Sequence, residues 1–167
     1  MEIRLSDGTE VVVRRIRADD KPLLTDALGR LSDASVRSRF LAPKPRFTAH
    51  ELRYLTELDF CDHYAVVATP RDRPGVIIGT ARWVRDEHDP RRAEAAITIA
   101  DHLQGQGLGT KLGRVIAEAA NVRGVQHFTA TMLADNVASH RLFATISAHL
   151  DVHHEGATDE IVAQLAA

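Results

Sequence analysis

Three glycines in five residues, Gly105, Gly107 and Gly109, sit in the run Gln104-Gly105-Gln106-Gly107-Leu108-Gly109-Thr110, between an apolar strand-like stretch and a long segment of helical apolar period. A stretch of this kind can cradle an anion. Lacking Cβ atoms, it leaves backbone N–H groups open to a ligand, and the first turn of the following helix adds unpaired donors and the positive end of its dipole. Taken alone, the pattern also fits a flexible connector. Spacing excludes two common owners of such a loop. A nucleoside-triphosphate loop needs Lys and then Ser or Thr directly after its last glycine, where this chain has Thr110-Lys111-Leu112. A dinucleotide fingerprint needs G-x-G-x-x-G, and here the glycines alternate. Elsewhere, Cys61 is the only cysteine, so no internal disulfide forms. Its neighbours Asp59 and Asp62 have the wrong sign to stabilise a thiolate, and a structural role is expected for it. His149, His153 and His154 lack the helix spacing and carboxylate framework of a metal site, so no metal is expected.

The elements that must hold the loop follow from periodicity. Residues 3–5 and 10–16 read as a hairpin or a first strand with a lead-in. Asp19 or Asp20 caps a helix that tolerates Pro22 in its first turn. Ser32 caps a second helix to about Leu41, and Thr48 with Glu51 forms a capping box before Leu52, Leu55 and Leu58. Tyr64–Ala68, Val76–Val84 and Ala93–Ala100 then read as an antiparallel meander, with turns at 71–75 and 85–92. From Leu108 the apolar residues Leu112, Val115, Ile116, Ala119 and Ala120 predict a helix to about Asn121, stopping near Gly124. Val125–Met132 reads as a buried strand, parallel to the strand before the helix because a crossover joins them. Asp135 or Asn136 caps a last helix to about Ile146, and residues 149–152 and 160–165 form a closing hairpin around Gly156. The class is mixed α/β.

Composition bounds the rest. The 167 residues, 44% hydrophobic and 26% charged, are those of a single globular domain over 1–167. No apolar run approaches the roughly 20 residues that span a bilayer, and Met1-Glu2-Ile3-Arg4 lacks the apolar core of a signal peptide, so a cytoplasmic protein without membrane contact is expected. A net charge of −2 argues against nucleic acid as a partner. Positive charge is nearly all arginine, Lys21, Lys44 and Lys111 being the only lysines.

Gln104-Gly105-Gln106-Gly107-Leu108-Gly109 resembles the Q/R-x-x-G-x-G/A signature of the GNAT superfamily of acyl-CoA-dependent N-acyltransferases, and the order of elements resembles that fold along nearly the whole chain. The resemblance implies a mostly antiparallel sheet with a splayed parallel pair, flanked by helices. It implies acetyl-CoA as donor, with its pyrophosphate on the backbone of Gln104, Gly105, Gln106, Gly107, Leu108, Gly109 and Thr110. The pantetheine arm would pair with backbone groups of Ile97, Thr98 and Ile99, in a cleft where the strands of Ile99 and Thr131 part. Asn136 matches an asparagine that often contacts the cofactor in the family, and it equally suits a plain helix cap. Many members carry a tyrosine acid where this chain has Phe143, and a Gly-Phe pair where it has Ser147-Ala148. A phenyl ring donates no proton. More narrowly, Arg15–Asp20, Leu31–Phe40, Leu55–Phe60 and Arg92–Ala96 resemble the catalytic domain of bacterial protein-lysine acetyltransferases.

Acyl transfer to an amine needs a neutral nitrogen, and an amine of pKa about 10.4 is rarely neutral at pH 7 without a base. Glu94, on the strand leading to the loop, matches the glutamate base of the lysine-acetylating relatives; it also suits an exposed carboxylate bonded to Arg82 or Arg92. A backbone N–H near Ile99 would polarise the thioester carbonyl. Asp86, Glu87 and His88 read as a solvated loop that could line the acceptor's entrance. An N-acetyltransferase acting on a primary amine is therefore expected, protein lysine being the favoured acceptor and a small amine the alternative. A catalytically silent acyl-CoA sensor is the competing class.

Overall fold

The computed structural model describes residues 1–166. Strands β1 (Glu2–Arg4), β2 (Glu10–Arg15), β3 (His63–Pro70), β4 (Gly79–Arg85), β5 (Arg92–Ile99), β6 (His127–Leu133), β7 (Ser147–Glu155) and β8 (Thr158–Leu165) form one sheet in the order β1-β2-β3-β4-β5-β6-β8-β7. Every neighbouring pair is antiparallel except β5–β6, which is parallel. Helices α1 (Lys21–Gly29), α2 (Asp33–Phe40) and α3 (Ala49–Thr56) follow β2, α4 (Leu108–Asn121) makes the crossover, and α5 (Val137–Ile146) precedes the last hairpin. The expected architecture is met, splayed parallel pair included.

Side-chain alternation sorts the two faces of the sheet. In β4 and β5, Ala81, Trp83, Ala93 and Ala95 turn toward α4 and join Leu112, Ile116, Phe128, Phe143 and Ile161 in the larger core. On the other face Ala65 and Val67 of β3 pack with Ile16, Leu24 and Ile77 beneath α1 and α3. The helix α4 is amphipathic because Leu108, Leu112, Ile116 and Ala120 fall on one stripe, all at most 1% exposed. Gly79 lets this stripe approach β4, since a Cβ there would stand 3.0 Å from a Leu112 methyl.

Several local expectations need correction. Asp20 precedes α1 but makes no side-chain cap; its carboxylate instead accepts two 2.7 Å bonds from Arg14 and one from the Arg17 N–H. A buried carboxylate gains more from a guanidinium than from a helix end. The fourth strand begins at Gly79 rather than Val76, although the Ile78 N–H still donates to the Ala68 oxygen. The closing strands run longer than the expected 149–152 and 160–165, by five residues in 147–155 and two in 158–165, because polar residues such as His153 and His154 pair in them as well. Cys61 has no core role: it is exposed, and its backbone N–H bonds the Asp59 carboxylate. Among the described residues no helix is long and apolar enough to cross a membrane.

Candidate active site

The parallel pair is short. β5 and β6 match at Arg92–His127, Ala93–Phe128 and Glu94–Thr129, and beyond Glu94 they part, while β5 continues on β4 to Ile99 and β6 continues on β8 to Leu133. The edge of β5 from Ala95 to Ile99 therefore faces open space with no strand to pair with. That space is a cleft of about 770 Å³, lined by Glu94, Ile97, Thr98 and Ile99, by Gln104, Gly105, Gly107, Gly109 and Thr110, and by Asn136 and Phe143. Glu94, the pantetheine-pairing candidates, most of the loop and Asn136 are thus brought to one cavity; Gln106 and Leu108 turn away from it.

At the mouth, Gly105 and Gly107 take φ of +76° and +82°, and Gly107 is the left-handed N-cap of α4. No atom lies within 4 Å of where their Cβ atoms would stand, and Gly107 provides no side-chain cap. The first N–H groups of a 14-residue helix so face an open concavity, the arrangement an anion needs. Gly109 has a different reason to be glycine: its Cβ would stand 2.7 Å from a Leu142 methyl of α5, so it serves helix packing rather than anion access. Leu108 is 1% exposed in the core, and the Gln106 amide, oriented to donate, reaches Asp7 at 2.8 Å. Those two residues can offer a ligand only their backbone.

Side chains behind the loop tie it to α2. The Gln104 amide donates to Ser35 Oγ and to the Ile99 carbonyl, both at 3.1 Å, so one of the β5 edge carbonyls is already satisfied within the chain. Asp101 accepts from the Ser32 N–H, Ser32 Oγ and Ser35 Oγ. These bonds, Ser35 foremost, hold its carboxyl below the usual range. Asn136 caps α5 by accepting from the Ser139 N–H at 3.1 Å, which leaves its amide nitrogen for the cleft. Phe143 occupies the cleft floor and is 4% exposed, an aromatic ring without a hydroxyl.

The opposite face of β5 carries Glu94, Ala96 and Thr98, in register with Val84, Arg82 and Thr80 of β4, and β4 in turn sets His63 and Ala65 beside Val84 and Arg82. Glu94 is exposed and, among the described residues, bonded to neither Arg82 nor Arg92. Arg82 instead donates to His63 Nε2 at 3.2 Å and to the Leu55 carbonyl at 3.4 Å. Burial, with the charge of Arg39 added, pushes the Arg82 guanidinium down to about 10. Burial and the Arg82 charge hold the His63 imidazole down at about 4, against a smaller opposing pull from Asp59. His63 is therefore a neutral ring that accepts at Nε2, packed on Tyr54 at 4.9 Å. Arg39 and His63 were not foreseen, and Arg82 was expected only as a partner for Glu94; the available signal was an arginine between Ala81 and Trp83 in a strand otherwise built for burial. Asp86, Glu87 and His88 form a self-contained turn in which the Asp86 carboxylate takes the His88 and Asp89 N–H groups. The three C-terminal histidines do not converge: His149 pairs with Asp151, and His154 bonds Asp159, which also faces His140 of α5.

Comparison with known proteins agrees with this geometry. A family model described as an acetyltransferase (GNAT) domain matches residues 10–148. Acetyltransferase Pat of Mycolicibacterium smegmatis is 39% identical over 97 residues, which is 58% of this chain and 29% of that protein. The GNAT domain of S. lividans PAT superposes with a TM-score of 0.88 at 29% identity, covering 99% of this chain and 96% of that one. A cAMP-binding acyltransferase from Mycobacterium smegmatis superposes with a TM-score of 0.70 at 26% identity, over all of this chain and 47% of that one. The chain thus spans less than a third of the first relative and about half of the last.

Proposed function

The chain belongs to the GNAT acetyltransferase family, enzymes that draw their acyl group from acetyl-CoA, and on that premise we propose that it transfers acetyl directly to a primary amine, with a protein lysine as favoured acceptor. The observation that carries this reading is the parting of β5 and β6 directly after Glu94, beside the uncapped start of α4. At the open edge Ile97 and Ile99 offer backbone groups to the amides of a pantetheine arm, as an added strand would take them, apart from the Ile99 carbonyl that Gln104 holds; the Thr98 backbone faces β4, so its part is limited to its side chain in the cleft. The left-handed Gly105 and Gly107 and the N–H groups that follow suit a pyrophosphate. Asn136 has an amide nitrogen to spare for the same ligand.

In the transfer, the neutral amine nitrogen bonds to the acetyl carbon, the carbon–sulfur bond breaks, CoA leaves with the electron pair as thiolate, and the proton the nitrogen sheds in becoming an amide passes through solvent to that thiolate. Glu94 takes the proton that an ammonium acceptor must lose before it attacks, directly or through one water. Its exposure and its lack of a hydrogen-bonded partner leave its carboxyl group reachable for that task. A backbone N–H near Ile99 steadies the carbonyl oxygen as charge develops. Phe143, at the place of the family's tyrosine acid, has no proton to give; a thiol of pKa about 8.5 departs as thiolate without one. Resemblance of Arg15–Asp20, Leu31–Phe40 and Arg92–Ala96 to protein-lysine acetyltransferases, together with the relatedness to Pat, supports lysine as acceptor.

The test is turnover. Incubation with acetyl-CoA and a panel of lysine-containing proteins and small amines, read by CoA release and by mass spectrometry, is expected to give an acetylated amine. Tight acetyl-CoA binding without release on any acceptor would instead establish a silent acyl-CoA sensor, the function that Phe143 favours.

A further inference from the structure

Two guanidinium groups stand on the acceptor face of the sheet without a bonded carboxylate. Arg82 is 7% exposed, and its partners are a carbonyl oxygen and a neutral imidazole. Arg39 of α2 makes no hydrogen bond or ion pair among the described residues and stacks over Phe40 at 4.9 Å; the opposite charge near enough to act on it is that of Glu94, to which it is not bonded. Buried charge elsewhere in the chain is matched: Arg14 meets Asp20 in a two-bond pair, and Asp159 meets two histidines. A guanidinium keeps its charge near neutral pH even when buried, so leaving it without an anion is costly. Such a site is incomplete until an anion arrives.

Both arginines line a cavity of about 400 Å³ beneath α1, α2 and α3, together with Arg30, Arg73 and His102, and its remaining walls are mainly apolar, among them Leu24, Phe47 and Ile77. This volume suits a small organic group. The cavity joins the cleft described above, since Arg39, Phe40 and Thr98 line both. Glu94 lies diagonally across from Arg82 on the same face, Arg82 being paired with Ala96 and Val84 with Glu94, which sets their backbones about 7–8 Å apart. An apolar chamber with cations inside and a carboxylate base at its junction with the donor cleft has the polarity of a particular acceptor.

We propose that this cavity selects the acceptor, and that the acceptor is an amine with an apolar body and a carboxylate, the carboxylate held by Arg82 and Arg39 and the amine turned toward Glu94. The inference rests on the acetyltransferase reading and adds the substrate class. The carboxylate belongs either to a free amino acid or to an acidic side chain beside a lysine; the chemistry of the pocket is the same. A forked guanidinium binds a planar carboxylate through two parallel bonds, and an uncharged amide of the same shape lacks the charge that makes those bonds strong.

The experiment measures CoA release with straight-chain ω-amino acids, leucine and phenylalanine, each beside its carboxamide, and with lysine peptides carrying Glu or Gln next to the lysine. Carboxylate acceptors are expected to exceed their amides in kcat/KM by about 10–100-fold, the worth of a hydrogen bond to a charged group. Preference confined to the Glu peptides identifies a protein acceptor, and preference among the free acids a small one. In Arg82→Met the ratio is expected to fall to near one while the melting temperature does not drop, because an unpaired buried charge has been replaced by an apolar chain. Arg39→Met, at a half-buried helix position, reads the same ratio should the first variant fold poorly. Transfer that proceeds equally well to acids and amides overturns the proposal and leaves the acetyltransferase standing; so does an Arg82→Met variant that loses affinity for acetyl-CoA itself. No transfer to any amine overturns both.

Discussion

Glu94 is the last residue at which the two parallel strands still pair, so its carboxylate stands at the apex of the opening and not along its wall. A base placed there meets any nucleophile approaching the thioester from the acceptor face. Glu94→Gln keeps shape and removes the proton acceptor; acetyl-CoA affinity by calorimetry is expected to hold while kcat falls about 10²–10⁴-fold at pH 7, with the deficit shrinking as the pH approaches the acceptor's own pKa. His63 makes a second prediction of residue scale. Its pKa in the folded chain, about 4, lies below the free value of 6.5, so between these pH values the unfolded chain binds the extra proton and the folded chain does not. Stability from this group is whole above pH 6.5 and drains away as the pH falls toward 4. Urea titrations at a series of pH values should show that slope in the parent and a flatter one in His63→Gln. The two residues differ in how they read from sequence. Glu94 is legible because it lies a short way upstream of a loop with a recognisable pattern. His63 and Arg82 come from a strand end and a strand centre that only the register of β3 and β4 shows to share a face, and Arg39 reaches that face from α2, far off in the chain, by lining the same cavity as Arg82.

At the scale of elements, the start of α4 and the start of α2 are one unit, because Asp101 and Gln104, in the link between β5 and α4, bond the serines that open α2. The conformation of the loop was legible, since left-handed φ at Gly105 and Gly107 is what alternating glycines predict. The tether was not, because Ser32 reads locally as a helix cap, which it also is, and nothing near it in sequence discloses a carboxylate supplied from across the chain. Gly107→Ala forces a side chain into a left-handed conformation at a cost of about 1–2 kcal/mol and turns the first N–H groups of α4 away from their common focus. A lower melting temperature together with roughly tenfold weaker acetyl-CoA binding is expected. Asp101→Ala should act on the other partner of the unit. Hydrogen exchange would then show faster opening of α2 amides, with a raised KM for the acceptor and little change in acetyl-CoA affinity, because Arg39 rides on α2 whereas the loop's backbone stays braced by Gly107 and α4.

For the whole molecule, the sheet is two antiparallel blocks, β1 to β5 and β6 with β8 and β7, joined in the sheet by three residue pairs and otherwise by the packing of α4 and α5 on the shared core. Parallel pairing predicted from a crossover helix made this seam legible, but its shortness was not, since no residue in Ala95–Ile99 or Ala130–Leu133 is unfit for pairing. At the seam Leu142 and Ile146 of α5 close on Gly109 and Gly113 of α4, the same two glycines that Ile99 and Ile97 of β5 approach from the sheet, so the helices and not a strand pairing fill this stretch. A ligand lying along the open edge touches β5, the start of α4 and the cap of α5 at once, and so bridges both blocks. Binding of this kind stabilises the folded state by about 2.7 kcal/mol at a hundredfold excess over Kd, which for a chain of this size is a rise of several degrees in Tm. Acetyl-CoA should produce that rise in the parent and in Glu94→Gln alike, with new hydrogen-exchange protection in Ala95–Ile99. CoA lacking its acetyl group should do nearly as well, because the bridging contacts fall on the pyrophosphate and pantetheine; a rise confined to the acetylated form would place the binding energy on the acetyl group instead and break the bridging account.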